Sequence, residues 1–254
     1  MKALVFIRRV ILLSFCLVIP TVMMGQNDAP IASDVNSSTW VVGSIIEDVE
    51  VNHHGLDRYF VSEPISNDVF ARMQNHSYRN GCPISREQLR YLKVLHRNAE
   101  GRNQLGEMVC NVIIADKLLR VFRALYEAGY RIEQMRLIDD YEGDDNKSMS
   151  ANNTSCFNYR HVSGTTTVSK HGYGLAIDIN PRYNPYVRTR NGVTVVEPLN
   201  GKKYAFNRTN RTDIPYKIDR SDLAYQLLIK EGFIWGGAWR SVKDYQHFEY
   251  RGNP

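Results

Sequence analysis

Apolar positions recur at helical spacing in two places. Ile114, Leu118, Val121, Phe122 and Leu125 step by three and four, which predicts an amphipathic helix from Ile113 to Ala128 closed by Gly129. Asp222 to Lys230 reads as a second helix, closed by Gly232. Ser85 with Gln88 three residues on has the form of a capping box, and Leu89, Leu92 and Leu95 follow at helical spacing, so a helix is expected there as well. Glu107–Asn111 and Arg136–Asp139 read as short strands, with a polar turn over 97–106. Leu175, Ile177 and Ile179 alternate with Gly174, Ala176 and Asp178, the pattern of a strand with one apolar face. Near the C-terminus His247 and Glu249 share one strand face, and Phe248 and Tyr250 the other. Between these elements, residues 140–170 are long and polar, but Tyr141, Met149, Phe157 and Tyr159 supply anchors, which predicts an ordered loop.

The N-terminus follows a different rule. Lys2, Arg8 and Arg9 precede an apolar run from Val10 to Met24, a small Gly25 and then polar Gln26, the order of a secretory signal peptide over residues 1–25. The run is about 15 residues, short of the roughly 20 that span a bilayer. An exported protein, periplasmic or extracellular, with no membrane span after cleavage, is therefore expected. Residues 26–81 are polar and weakly periodic and read as a linker or N-terminal extension, with the main domain over 82–254. His53-His54 within it is a poor metal site, because sequence neighbours point apart.

Charge and cysteines narrow the function classes. Of the net charge of +5, three come from Lys2, Arg8 and Arg9, and the remaining +2 is too weak to argue for nucleic acid. The 254 residues are 43% hydrophobic and 23% charged, which excludes a disordered chain. Cys82, Cys110 and Cys156 have no close pairing, so a cysteine zinc site is not expected. With Cys16 in the expected leader, the remaining three are an odd count, which leaves room for one disulfide and one buried thiol. No G-x-S-x-G elbow supports a serine hydrolase.

Two constellations carry chemistry. In Ser169-Lys-His171-Gly-Tyr-Gly174-Leu-Ala176-Ile-Asp178, small Gly174 and Ala176 share a face with Asp178, as if to leave a clearing over which His171 folds back. An imidazole and a carboxylate converging on one space suit the first two ligands of a zinc ion. The plain alternative is a surface histidine and a turn aspartate. In Trp235-Gly-Gly-Ala-Trp239 through Asp244-Tyr-Gln-His247-Phe-Glu249, His247 offers a third ligand, and Asp244 a carboxylate free to move protons. Glu249 is expected to orient an imidazole. Taken singly, His247 and the two tryptophans are better explained as structural residues; the joint pattern is what points to a site.

Together these motifs resemble the zinc D-alanyl-D-alanine carboxypeptidase (VanY-like) metallopeptidases, within the wider group of lysostaphin-type peptidases and the sonic hedgehog N-domain, over about residues 82–250. The resemblance implies an α+β fold, a small antiparallel sheet with helices packed on it, in a single catalytic domain. It implies one zinc held by His171, Asp178 and His247, with Asp244 as the catalytic acidic residue. It implies an arginine facing the substrate carbonyl or carboxylate. The usual short arginine-bearing segment is absent here, which leaves Arg160 as the candidate and Arg136 behind it. Ser169 would shape the turn or bond the side chain of a metal ligand, and Ser169 and Trp239 are expected to line the substrate site with Arg160. The implied substrates are peptidoglycan stem peptides, cut at bonds involving D-residues. A non-catalytic zinc module for wall or protein binding on the same scaffold is the alternative, disfavoured because this chain keeps Asp244. Exo- or endopeptidase action and oligomeric state are left open by the sequence.

Overall fold

Leu89 to Arg97 satisfies two periodicities at once, and packing chooses between them. In the computed structural model, which describes residues 40–252, the stretch is a strand and not a helix. Gln88 does fold back on the Ser85 N–H (2.9 Å), but the capped unit is a single 3-10 turn, Arg86–Gln88. The helical reading failed because both faces of the strand are buried. Leu92 and Val94 pack in one apolar cluster with Leu118 and Phe122, while Leu89 and Tyr91 pack in another with Ile65, Met73 and Phe157. A strand covered on both sides loses the alternation that identifies it.

In chain order the elements are β1 (Ile45–Ile46), α1 (Asp48–His54), β2 (Phe60–Pro64), α2 (Asn67–Met73), β3 (Leu89–Arg97), β4 (Asn103–Asn111) and α3 (Val112–Glu127). There follow α4 (Asp145–Ser150), β5 (Ala176–Asp178), β6 (Tyr186–Arg190), β7 (Val193–Glu197), α5 (Leu223–Lys230), β8 (Phe233–Trp235), β9 (Lys243–Asp244) and β10 (His247–Tyr250). They form an α+β domain with three small antiparallel sheets, ordered β1-β4-β3-β2, β5-β10-β8 and β7-β6-β9. The α3 helix begins on Asn111, whose side chain accepts the Ile113 N–H (3.1 Å), and buries Ile114, Leu118, Val121, Phe122 and Leu125. Asp222 caps α5 through the Tyr225 N–H (3.2 Å).

Residues 45–73, expected as linker or extension, are part of this packing. They supply β1 and β2 to the first sheet, and Val51 and Tyr59 share a cluster with Leu95 and Leu105. Their polar sequence is accounted for by one-sided burial of short elements. Residues 1–25, read as a signal peptide, lie outside the described residues. No helix among the described residues is long and apolar enough to cross a membrane.

The free edge of β4 ties the first sheet to the rest of the chain. Beyond β1, it bonds to three loop segments in turn: Glu107 N to Met135 O (3.0 Å), Phe157 N to Val109 O (3.0 Å) and Asn111 N to Gly174 O (2.9 Å). The expected strand over Arg136–Asp139 is one of these loop passages, running into a 3-10 turn at Ile138–Tyr141. Its Leu137 N–H goes to the Glu107 side chain (3.4 Å) and not to a ladder partner. The polar 140–170 segment is ordered, as expected, but much of it is interior. Asn152, Asn153 and Thr154 are fully buried. Asn153 bonds both the N–H (2.8 Å) and the C=O (3.0 Å) of Arg136, so its amide replaces a missing strand neighbour. Cys82, Cys110 and Cys156 are all free thiols, the last two buried.

Candidate metal centre

Sheet register brings the first two donors together. On the antiparallel pair β5–β10, His247 lies directly opposite Asp178. Opposed residues project to the same face with Cβ atoms about 5 Å apart. His247 Nδ1 consequently sits 3.0 Å from Asp178 Oδ1. The third donor comes from the 3-10 turn Lys170–Tyr173, which Ser169 caps by accepting the His171 N–H (3.3 Å). The turn ends at Gly174 in the left-handed region (φ 64°) and returns His171 Nε2 to 3.1 Å from His247 Nδ1 and 3.4 Å from Asp178 Oδ2.

The sequence had suggested that Gly174 and Ala176 leave a clearing. They do not. A Cβ on Gly174 would fall 2.7 Å from the Asn111 nitrogen, so this glycine exists to let β4 approach and to turn the chain. Ala176 is fully buried opposite Glu249.

Hydrogen bonding on the outer side of each ring decides what faces inward. Cys156 O can only accept, so His171 Nδ1, 2.6 Å away, carries the proton and Nε2 presents its lone pair. Glu249 lies 3.3 Å from His247 Nε2, which makes that nitrogen the donor and leaves Nδ1 as the inward lone pair. Two nitrogen lone pairs and a carboxylate therefore crowd within 3.0 to 3.4 Å, an arrangement that needs a cation between them. Ligands on a tetrahedral zinc at about 2.0–2.1 Å stand about 3.3 Å apart. His171, Asp178 and His247 are the group among the described residues whose donor atoms could hold a metal ion. With nothing but protons to fill the cage, burial opposes charge on His247, yet its hydrogen bonds to Asp178 and Glu249 raise its pKa to about 10. Burial pushes the Asp178 carboxyl up, but His171 and then His247 hold it well below the usual carboxylate range.

Asp244 stands apart from this set. It ends β9, opposite Tyr186 of β6. Gly236 packs so closely that a Cβ there would meet the Asp244 Cβ and carbonyl at 2.8 Å, and the His247 Cβ at 3.3 Å. Gly236 is thus required by the space around the acidic residue, and Gly237 by the Trp235 ring, against which a Cβ would clash. Asp244 Oδ1 is buried with no hydrogen-bond partner. Burial raises its pKa to about 6, with Asp178 adding and His247 and His171 opposing. Trp239, half-buried, has its ring centroid 5.3 Å from that of His247. Trp235 instead belongs to the core, stacked on Phe248 and donating to Tyr245 O (2.9 Å).

The two candidate arginines are elsewhere engaged. Arg160 forms an ion pair with Asp145 of α4. Arg136 pairs with Asp140 (3.1 Å) and lines a polar cleft of about 420 Å³ that contains none of the three donors. Sequence reasoning also missed the Cys156 carbonyl that orients His171 and the Tyr186 that faces Asp244. A backbone acceptor leaves no trace in residue type, and cross-strand pairing between residues 58 positions apart leaves none in spacing.

Residues 163–250 match the family described as D-alanyl-D-alanine carboxypeptidase. No curated protein and no solved structure matches the chain. The matched stretch is narrower than the resemblance read from the motifs, but it spans His171, Asp178, Asp244 and His247. The stretch that carries the three donors and Asp244 is thus similar to the D-alanyl-D-alanine carboxypeptidase family.

Proposed function

We propose that this protein is an exported zinc peptidase that hydrolyses peptidoglycan stem peptides at bonds involving D-amino acids. The observation that carries the reading is the pairing of a three-donor cage with a separate half-buried carboxylate, Asp244, one of whose oxygens is buried without a partner. Buried polar atoms are nearly always satisfied, so an orphaned carboxylate oxygen beside a cation cage marks a place for a reacting molecule. A non-catalytic zinc module would have no use for it.

His171, Asp178 and His247 would hold one zinc per chain, leaving a fourth position for water or substrate. When bound there, zinc supplies Lewis acidity, polarising a scissile carbonyl and making water acidic near neutral pH. Asp244, with its pKa raised to about 6, accepts the proton of the attacking water and delivers it to the departing amine. Cys156 O and Glu249 keep both imidazoles in the tautomers that ligation requires. Ser169 holds the His171 turn, and Trp239 offers a flat apolar wall next to His247 for the peptide. Arg160 would have to leave Asp145 to meet a substrate.

The deciding experiment incubates the purified protein with defined muropeptides, with and without a zinc chelator, and identifies products by mass. Chelator-sensitive loss of a D-residue is the expected result. Bound zinc with every muropeptide left intact would favour the binding module.

A further inference from the structure

The sheet β7-β6-β9 has no part in holding the metal, yet it is built onto Asp244. In an antiparallel ladder, directly opposed residues project to one face. Tyr186 opposes both Asp244 and Glu197, so these three share a face, and along β6 that face continues through Arg188, opposite Val195, to Arg190, opposite Val193. The electrostatics of Tyr186 report the same neighbourhood. Burial raises its hydroxyl, Arg188 opposes the rise, and Asp244 and Glu197 add to it.

Arg188 is half-buried on this face, and its side chain forms neither an ion pair nor a hydrogen bond with any described residue. Most arginines of the domain are tied, for example Arg72 to Glu107, Arg160 to Asp145 and Arg182 to Glu133. One residue pair along a strand is about 7 Å, so the guanidinium stands within side-chain reach of anything lying against Asp244. A partly desolvated guanidinium without a counter-ion matches a carboxylate, which it can grip through two parallel N–H donors.

We propose that Arg188, flanked by Tyr186, holds a carboxylate of the substrate peptide and so sets which peptides Asp244 meets. The assignment rests on the peptidase reading above. A peptide with a free C-terminus offers one such group, and an acidic side chain offers another.

Steady-state kinetics of the zinc-loaded protein and of Arg188→Met on three peptides test it. The first is an acylated peptide ending in D-Ala-D-Ala and bearing one acidic side chain; the others are its C-terminal amide and its side-chain amide. One amidation is expected to cost the unaltered protein about tenfold or more in kcat/KM, chiefly through KM, and which amide suffers names the carboxylate. R188M should be weakened on the parent peptide by a similar factor and be indifferent to that amidation, with zinc content unchanged. Arg188→Lys should recover part of the loss. Arg190→Met, at the far end of the strand, should leave KM within about twofold. An unchanged KM in R188M, or equal cleavage of all three peptides by the unaltered protein, overturns the assignment. If none of the peptides is cleaved, the peptidase reading fails on its own. Calorimetric binding of the same peptides to both proteins then decides Arg188 separately, with equal or undetectable affinities counting against it.

Discussion

Two carboxylates in this molecule, one fully buried and one half-buried, are treated in opposite ways. Glu107, fully buried on β4, is met by Arg72 at both oxygens (2.9 and 2.6 Å) and by the Tyr91 hydroxyl (2.7 Å). Asp244, on β9, has an oxygen that nothing meets. The first is a buried charge made tolerable by partners, and it pins α2 to the first sheet. The second has been left short of partners at some cost in stability, beside three donors that converge on a cation-sized gap. A carboxylate oxygen deprived of partners beside these donors points to a site, because folding alone gains nothing from an orphaned acidic oxygen.

The sharpest way to break this contrast is Asp244→Ala. Loss of a proton-transfer group is expected to lower kcat by about 10²–10⁴-fold. Zinc content, read by atomic spectroscopy, should stay at one per chain, and the thermal midpoint should hold or rise because an unpaired buried group has been removed. Retention of full activity would falsify the role given to Asp244. Glu249→Gln tests the ring orientation, since weakening the acceptor at His247 Nε2 should loosen zinc by about 10–100-fold in a competitive chelator titration.

Glu107→Gln supplies the scaffold half of the comparison. Neutralising the partner of Arg72 is expected to cost about 2 kcal/mol in urea unfolding, below the usual range for fully buried pairs because the Arg72 side chain remains partly open to water. The folded fraction should keep its zinc and its KM. A large change in KM here, without loss of stability, would erase the distinction between the two regions.

The mildest effect is on pH dependence. Because His247 is raised from its ordinary value to about 10 in the metal-free protein, the stabilisation its charge provides is complete below the unfolded histidine range near 6.5. It is lost as pH climbs through 10. Midpoints of chelated protein should therefore fall between pH 7 and 10 relative to zinc-loaded protein, where a metal fills the place of the proton. A difference that stays flat over that range would mean that the cage does not hold a proton in the absence of metal.

Residues near each other in the chain were readable in advance. Ser169 to Asp178 and Trp235 to Glu249 announced a turn, a strand and alternating faces, and the three donors and Asp244 could be named from these two stretches. The reading of β3 as a helix failed for want of knowledge that α2 and Phe157 cover its second face. Gly174 was recognised as significant for a mistaken reason, since its neighbour, Asn111, lies 63 positions away. Arg160 was chosen for its place in an unusual loop, and Asp145 of α4 claims it.

Local order therefore determined the kinds of donor, their spacing and the helices at Ile113 and Asp222, because turn chemistry and periodicity act over a few residues. Only the tertiary structure decided that His247 stands across from Asp178, that the Cys156 carbonyl turns the His171 ring, and that Tyr186 and Arg188 share the face of Asp244. The first and last of these depend on strand register, where a slip of one residue would send the side chain to the opposite face, and the second on how two distant loop segments pack.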